Sequence, residues 1–229
     1  MQTDQDVYTN ADAQSHADDT KPYAQLIRTF MTQQIAGGDA VYAVPLHFRS
    51  LHQQACKTIS AATMVVHLQS RGNSIILVPT QINVYFVWLA WMQAMDAATL
   101  QPTHPKAMYA EHFKSMAPEK VVVLLPAVCL WLCVKCMEVW ELKCKDILRI
   151  IDGVQQARNY RVQFTLQDVV HAEHALLQLI GFDVLKNQDN IDIIEDILRD
   201  HLNFDDMYVS ADAQVMRSLF CIFYDVGGD

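Results

Sequence analysis

Apolar residues recur along this chain at intervals close to 3.6 positions, and no series of evenly spaced β-branched runs with turn signals interrupts them. That period predicts helices. A first helix is expected over residues 23–35, stopped by Gly37 and Gly38. Pro45 opens the next stretch, where Leu51, Ala55, Ile59, Ala62 and Val66 form the stripe of a long helix over 48–69 that Arg71, Gly72 and Asn73 close. Residues 80–98 predict another. There Val84, Phe86, Val87, Trp88, Leu89 and Trp91 leave few polar sides, so this helix is expected at the centre of a bundle.

Three prolines and little periodicity mark 99–118 as a loop with at most a short helix. The next helix is predicted from Glu119 to about Glu138. Pro126 falls inside that span, which implies a kink or a later start. A short helix follows over 144–156. Thr165 with Asp168 three residues on has the form of a capping box, opening a helix that Gly181 ends. Residues 191–202 and 211–224 read as two amphipathic helices. The fold class is all-α, with no internal repeat.

Composition narrows the roles open to such a bundle. About half of the 229 residues are apolar, enough for a substantial core. The net charge of −9 opposes binding to nucleic acid or an anionic membrane surface, both of which need clustered Lys and Arg, and favours a protein or small-molecule partner. Residues 1–21 are polar and acidic, unlike a signal peptide, and are expected to be a disordered tail. The apolar stretches near 84–94 and 121–134 are too short or too interrupted to span a bilayer, which needs about twenty residues. A soluble intracellular protein with reduced thiols is the expectation.

Two features of the pattern invite chemistry. Cys129, Cys133 and Cys136 lie at i, i+4 and i+7 of one helix, yet seven positions span about 10 Å along the axis at a rise of about 1.5 Å per residue. Sulfurs on one zinc ion lie about 4 Å apart, so the three cannot share it, and Cys144, His171 or His174 would have to contribute. A thioredoxin-like pair belongs at a helix N-terminus, whereas this CxxC sits near a C-terminus. The cysteines are read as small core residues, and no metal or cofactor is implied. Trp88 and Trp91 are likewise read as core, and at least one of His171 and His174 as solvated. No nucleophile elbow, phosphate loop, dinucleotide fingerprint or zinc-protease motif occurs.

The second feature is charge on apolar stripes. Lys135 shares a face with Trp131, Val128 and Leu124, and Glu173 falls within the stripe of Leu166, Val169, Val170, Leu177 and Ile180. An isolated buried charge is costly, so the two are expected to meet at a surface that another protein covers, or else to snorkel from the stripe edges.

The segments "AVCLWLCVKCMEVWELKCKDIL" (127–148) and "FTLQDVVHAEHALLQLIGFDVL" (164–185) resemble the third to fifth helices of a cyclin box. Lys135 and Glu138 stand where that family has Lys-x-x-Glu, and Glu173 and Phe182-Asp183 match the later helix. "KCKDIL" is most similar to the transcriptional cyclins of the K, L, T and C types. The resemblance is specific over 119–185 and rests on helix order alone over 48–98. It implies a five-helix box over 45–185, preceded by an N-terminal helix and linker at 22–44 and followed at 186–229 by a reduced second box or capping helices. It further implies a regulatory subunit, itself no enzyme, that activates a cyclin-dependent kinase acting in transcription or RNA processing, with a nuclear location that can extend to the cytoplasm. The implied kinase-binding residues are Lys135, Glu138, Glu173, Leu124, Val128, Trp131 and Leu177, and neither membrane nor nucleic acid is an expected partner. The alternative is a cyclin-fold adaptor of the transcription machinery with no kinase. One departure stands out: the family's Arg on the first box helix pairs with a residue on the second, and "INVYFVWLAWMQAM" offers no counterpart before Asp96.

Overall fold

A computed structural model describes residues 27, 29, 44–69, 78–101, 103–137, 142–186, 188–202, 220, 223 and 224. Among them are seven helices and no strand. After a 3-10 turn at Leu46–Phe48 come α1 (Arg49–Gln69), α2 (Val78–Leu100), α3 (Ala107–Lys114), α4 (Pro118–Cys136), α5 (Cys144–Arg158), α6 (Leu166–Ile180) and α7 (Gln188–Leu202). No single described helix is long and apolar enough to cross a membrane.

The helix at the hub is α4. It packs against α1, α2, α5 and α6, and every residue from Val121 to Val134 is buried. Its apolar residues run all round the axis, which only a helix enclosed on every side can satisfy. The pattern placed 80–98 at the centre; α2 is indeed largely buried and touches α1, α3, α4, α6 and α7, so the two helices share that position. Trp88 and Trp91 of α2 are core residues with ring centroids 4.8 Å apart.

The later start considered for α4 is not observed. Pro118 takes the first turn, where a missing N–H costs nothing, and helical residues continue through Pro126 to Cys136. An interior proline costs about 3 kcal/mol, which the enclosed apolar run around Pro126 offsets. The short α3 occupies the proline-rich stretch and meets α4 at a bend of 119°.

Both ends of α6 are fixed as the sequence indicates. Asp168 Oδ2 accepts from the Thr165 N–H and from Thr165 Oγ1, each at 2.7 Å, while Thr165 Oγ1 accepts from the Asp168 N–H at 3.2 Å. At the other end Gly181 adopts φ 77°, and the Phe182 N–H returns to the Leu177 carbonyl at 2.8 Å. Lys106 Nζ, just ahead of α3, donates to the Leu179 carbonyl at 2.6 Å and adds a cation at the negative end of the helix. Helices α1 and α5 are in contact, and at Gly153 an added Cβ would lie 2.8 Å from a Val65 methyl.

Asp96 of α2 pairs with His47 at 3.5 Å, in the turn that leads into α1. Of the predicted helix over 23–35, Ile27 and Thr29 are described, both helical, and Ile27 is buried. Of 211–224, Phe220, Phe223 and Tyr224 are described as helical. The remainder of those two segments, the acidic tail at 1–21 and the stop at Arg71, Gly72 and Asn73 lie outside the described residues.

Candidate functional site

Lys135 is the first residue of α4 beyond its enclosed run to reach solvent. Directly after the enclosed run ending at Val134 its side chain is 44% exposed, and its Nζ lies 2.5 Å from Glu173 Oε1 of α6. The ammonium also stands 4.2 Å from the centroid of the Trp131 ring, one turn earlier on α4. Trp131 therefore seats the lysine by a cation–π contact from below while Glu173, only 15% exposed, holds it from the side. Two elements far apart in sequence thus present a fixed, internally paired charge at their junction.

The charges are neither fully buried nor free. A half-exposed pair contributes only about 0–1 kcal/mol to stability, so its geometry matters more for what the surface offers than for holding the fold.

The other residues expected in a docking face divide into two groups. Leu177 is half-buried on α6, on the same face as Glu173. Leu124, Val128 and Trp131 are buried against the chain's own helices, and Leu124 and Val128 are almost inaccessible. They share Lys135's angular position, but the neighbouring helices cover α4 until its last turn. Glu138 lies outside the described residues.

Sequence reasoning missed a different set. Leu166 and Val170, expected in the covered stripe of α6, are 47% and 44% exposed. With Glu173 and Leu177 they fall within about 60° of one another around the helix, at 100° per residue, and form an apolar line about 16 Å long. The buried face of α6 instead carries Val169, Ala172, Ala175, Leu176 and Leu179. Beyond the helix end Phe182 is 60% exposed at φ 64°, an uncommon backbone conformation for a bulky aromatic residue. The spacing of Leu166, Val170 and Leu177 was the available signal, but Val169 and Leu176, one position away, continue the same stripe into the core.

The cysteines separate along α4. Cys129 and Cys133 are fully buried, and burial pushes both thiols well above their ordinary range and keeps them protonated. Cys136 is exposed and Cys144 half-buried; burial raises these thiols too, the nearby Lys135 pulls them down and Glu173 pushes them up. Among the described residues no group of three His, Cys, Asp or Glu side chains is placed to hold a metal ion. His171 and His174 are both exposed; His174 meets the Tyr109 ring edge-on and His171 the ring of His112, across the α3–α6 contact.

No family model, curated protein or solved structure matches the chain.

Proposed function

We propose that this protein is a cyclin-like regulatory subunit that binds and activates a cyclin-dependent kinase, one acting in transcription or RNA processing. The observation that carries the reading is the Lys135–Glu173 pair: two charges 38 positions apart, on the two helices that resemble the cyclin box, meet at 2.5 Å at the edge of an exposed apolar line. The pair is already neutral, so covering it takes less desolvation than covering either charge alone. The Lys135 ammonium and the Glu173 carboxylate retain hydrogen-bonding capacity for a partner's backbone groups. Leu166, Val170 and Leu177 supply apolar area beside them, an arrangement suited to a helix or strand edge on the kinase. Such a surface regulates by binding one conformation of the kinase better than another.

The adaptor alternative gains nothing from the structure. A DNA-contacting adaptor needs a basic surface, and the chain carries a net charge of −9.

The test is association of the full chain with purified cyclin-dependent kinase catalytic subunits, compared with the Lys135→Ala/Glu173→Ala double variant. Loss of kinase binding with an unchanged helical circular dichroism spectrum is the expected result. A double variant that co-purifies with kinase as the parent does would overturn the reading.

A further inference from the structure

A cavity of about 190 Å³ lies between α2, the end of α6 and the turn that leads to α7, and none of the residues lining it belongs to the Lys135–Glu173 surface. Its inner wall is apolar. Phe86 and Val87 of α2 face it from one side and Leu179 and Val184 from the other, all four of them buried, with half-buried Ala90 nearer the opening. A cavity of about 150 Å³ lined by Leu, Ile and Phe is large enough to take up benzene. This one has room for one branched aliphatic or aromatic side chain.

The polar part of the lining is mixed in sign. Gln93 comes from α2, half-buried Lys106 from the stretch ahead of α3, and exposed Asp183 and Lys186 from the α6–α7 turn. The Lys106 ammonium is held in place by its 2.6 Å bond to the Leu179 carbonyl, and since an ammonium has three donors, two remain for a ligand. Beside it stands the negative end of α6, which favours a cation. A simple anion would therefore meet Asp183 and the helix end, and a simple cation would meet two lysines. A molecule that carries both charges finds a complementary group for each, and the apolar wall takes its uncharged part.

We propose that this cavity binds a free apolar amino acid of the size of leucine or phenylalanine, its side chain between α2 and Leu179, its carboxylate at Lys106 and Lys186, and its ammonium at Asp183 and the carbonyl end of α6. Occupancy joins α2 to the α6–α7 turn. The size of the cavity selects the side chain, and the alternation of charge at its opening selects the zwitterion over a plain acid or amine of the same shape.

Titration of leucine into the full chain, followed by amide nuclear magnetic resonance, tests this. A ligand of so few atoms should be held at a Kd of about a millimolar. Saturable shifts should appear at Ala90, Leu179, Asp183 and Val184, while the amides of α5, which lines no part of the cavity, keep their positions. Isocaproate lacks the ammonium, isoamylamine the carboxylate and glycine the side chain. Each should bind at least about tenfold more weakly, the usual result of losing a hydrogen bond to a charged group or a buried apolar side chain. Lys106→Gln should weaken leucine but not isoamylamine, and Asp183→Asn should weaken leucine but not isocaproate, a crossed pattern that general loosening of the site would not give. Ala90→Leu should fill the cavity and abolish the shifts with an unchanged helical circular dichroism spectrum. No saturable shift at these amides in the parent chain, isocaproate or glycine bound as tightly as leucine, or leucine bound equally by a folded Ala90→Leu variant would each overturn the proposal. The parent titrations decide the matter even where a variant fails to fold.

Discussion

At the residue scale, Lys135 shows how a helix changes character in one step. The fourteen residues from Val121 to Val134 are enclosed, and the next side chain reaches solvent, guided by Trp131 beneath it and Glu173 beside it. That the two charges would meet was legible, because each interrupted an apolar stripe and neither could be stranded there. Which residues around them face a partner was not legible. Leu124 and Val128 occupy Lys135's angular position, and periodicity reports only that a face is covered, without saying by which chain. The same gradient governs the thiols. In native protein, Cys136 and Cys144 should react with a water-soluble maleimide well before Cys56, Cys129 and Cys133, whose burial both shields them and keeps them protonated. Peptide mass spectrometry after brief labelling gives the order, and early labelling of Cys129 or Cys133 would mean that α4 is not the enclosed helix described.

At the element scale, α6 was read most completely from sequence. Thr165, Asp168 and Gly181 specify its ends by local chemistry that no tertiary contact overrides. Thr165→Ala should cost about 1 kcal/mol in urea unfolding. Asp168 carries a pH signature as well: the hydrogen bond from the Thr165 hydroxyl, and then the one from its backbone N–H, hold its carboxyl below the ordinary 3.8. With the folded pKa depressed, the stabilisation is present above 3.8 and is lost as pH falls through the lower folded value, because the unfolded carboxyl takes up its proton first. Stability measured against pH should therefore fall less steeply below pH 4 in Thr165→Ala than in the parent.

The rotation of α6 was the harder part. Leu166 and Val170 belong by hydropathy to the same stripe as Val169 and Leu176, and only the packed neighbours show where cover ends. Aspartate at both Leu166 and Val170 should leave the thermal midpoint nearly unchanged while weakening kinase association; an aggregated or unfolded product would instead place those residues in the core. The α1–α5 contact makes a separate demand. An alanine at Gly153 gains about 1 kcal/mol in helix propensity but forces a Cβ against the stiff Val65 side chain, for which overpacking costs about 1–3 kcal/mol. Gly153→Ala should thus be neutral to destabilising in the parent and clearly more favourable in a Val65→Ala background, as a double-mutant cycle by denaturant unfolding would show.

At the scale of the whole molecule, the all-α class followed from a 3.6 period sustained with few breakers, and the helix order followed from where glycine, proline and capping residues fall. The hub did not follow. Helices α2 and α4 are both apolar on most sides, and the chain gives no way to rank them until their neighbours are counted in space. Function sits further from the pattern still, since a docking surface is defined by a second molecule. The proposed kinase docking rests on a neutral charge pair beside an exposed apolar line, on a chain whose acidic balance disfavours nucleic acid.

The most direct measurement is calorimetric titration of the full chain into purified cyclin-dependent kinase catalytic subunits, with kinase activity read on the same samples. At least one subunit should bind at about micromolar Kd or tighter and gain activity. The Lys135→Ala variant, which leaves Glu173 unpaired in the covered surface, should lose about 2–5 kcal/mol of that binding, roughly thirtyfold to several thousandfold, and the Lys135→Ala/Glu173→Ala variant should lose binding and activation together. Absence of binding to every such kinase, or equal binding and activation by the double variant, would contradict the assignment of this surface to a kinase.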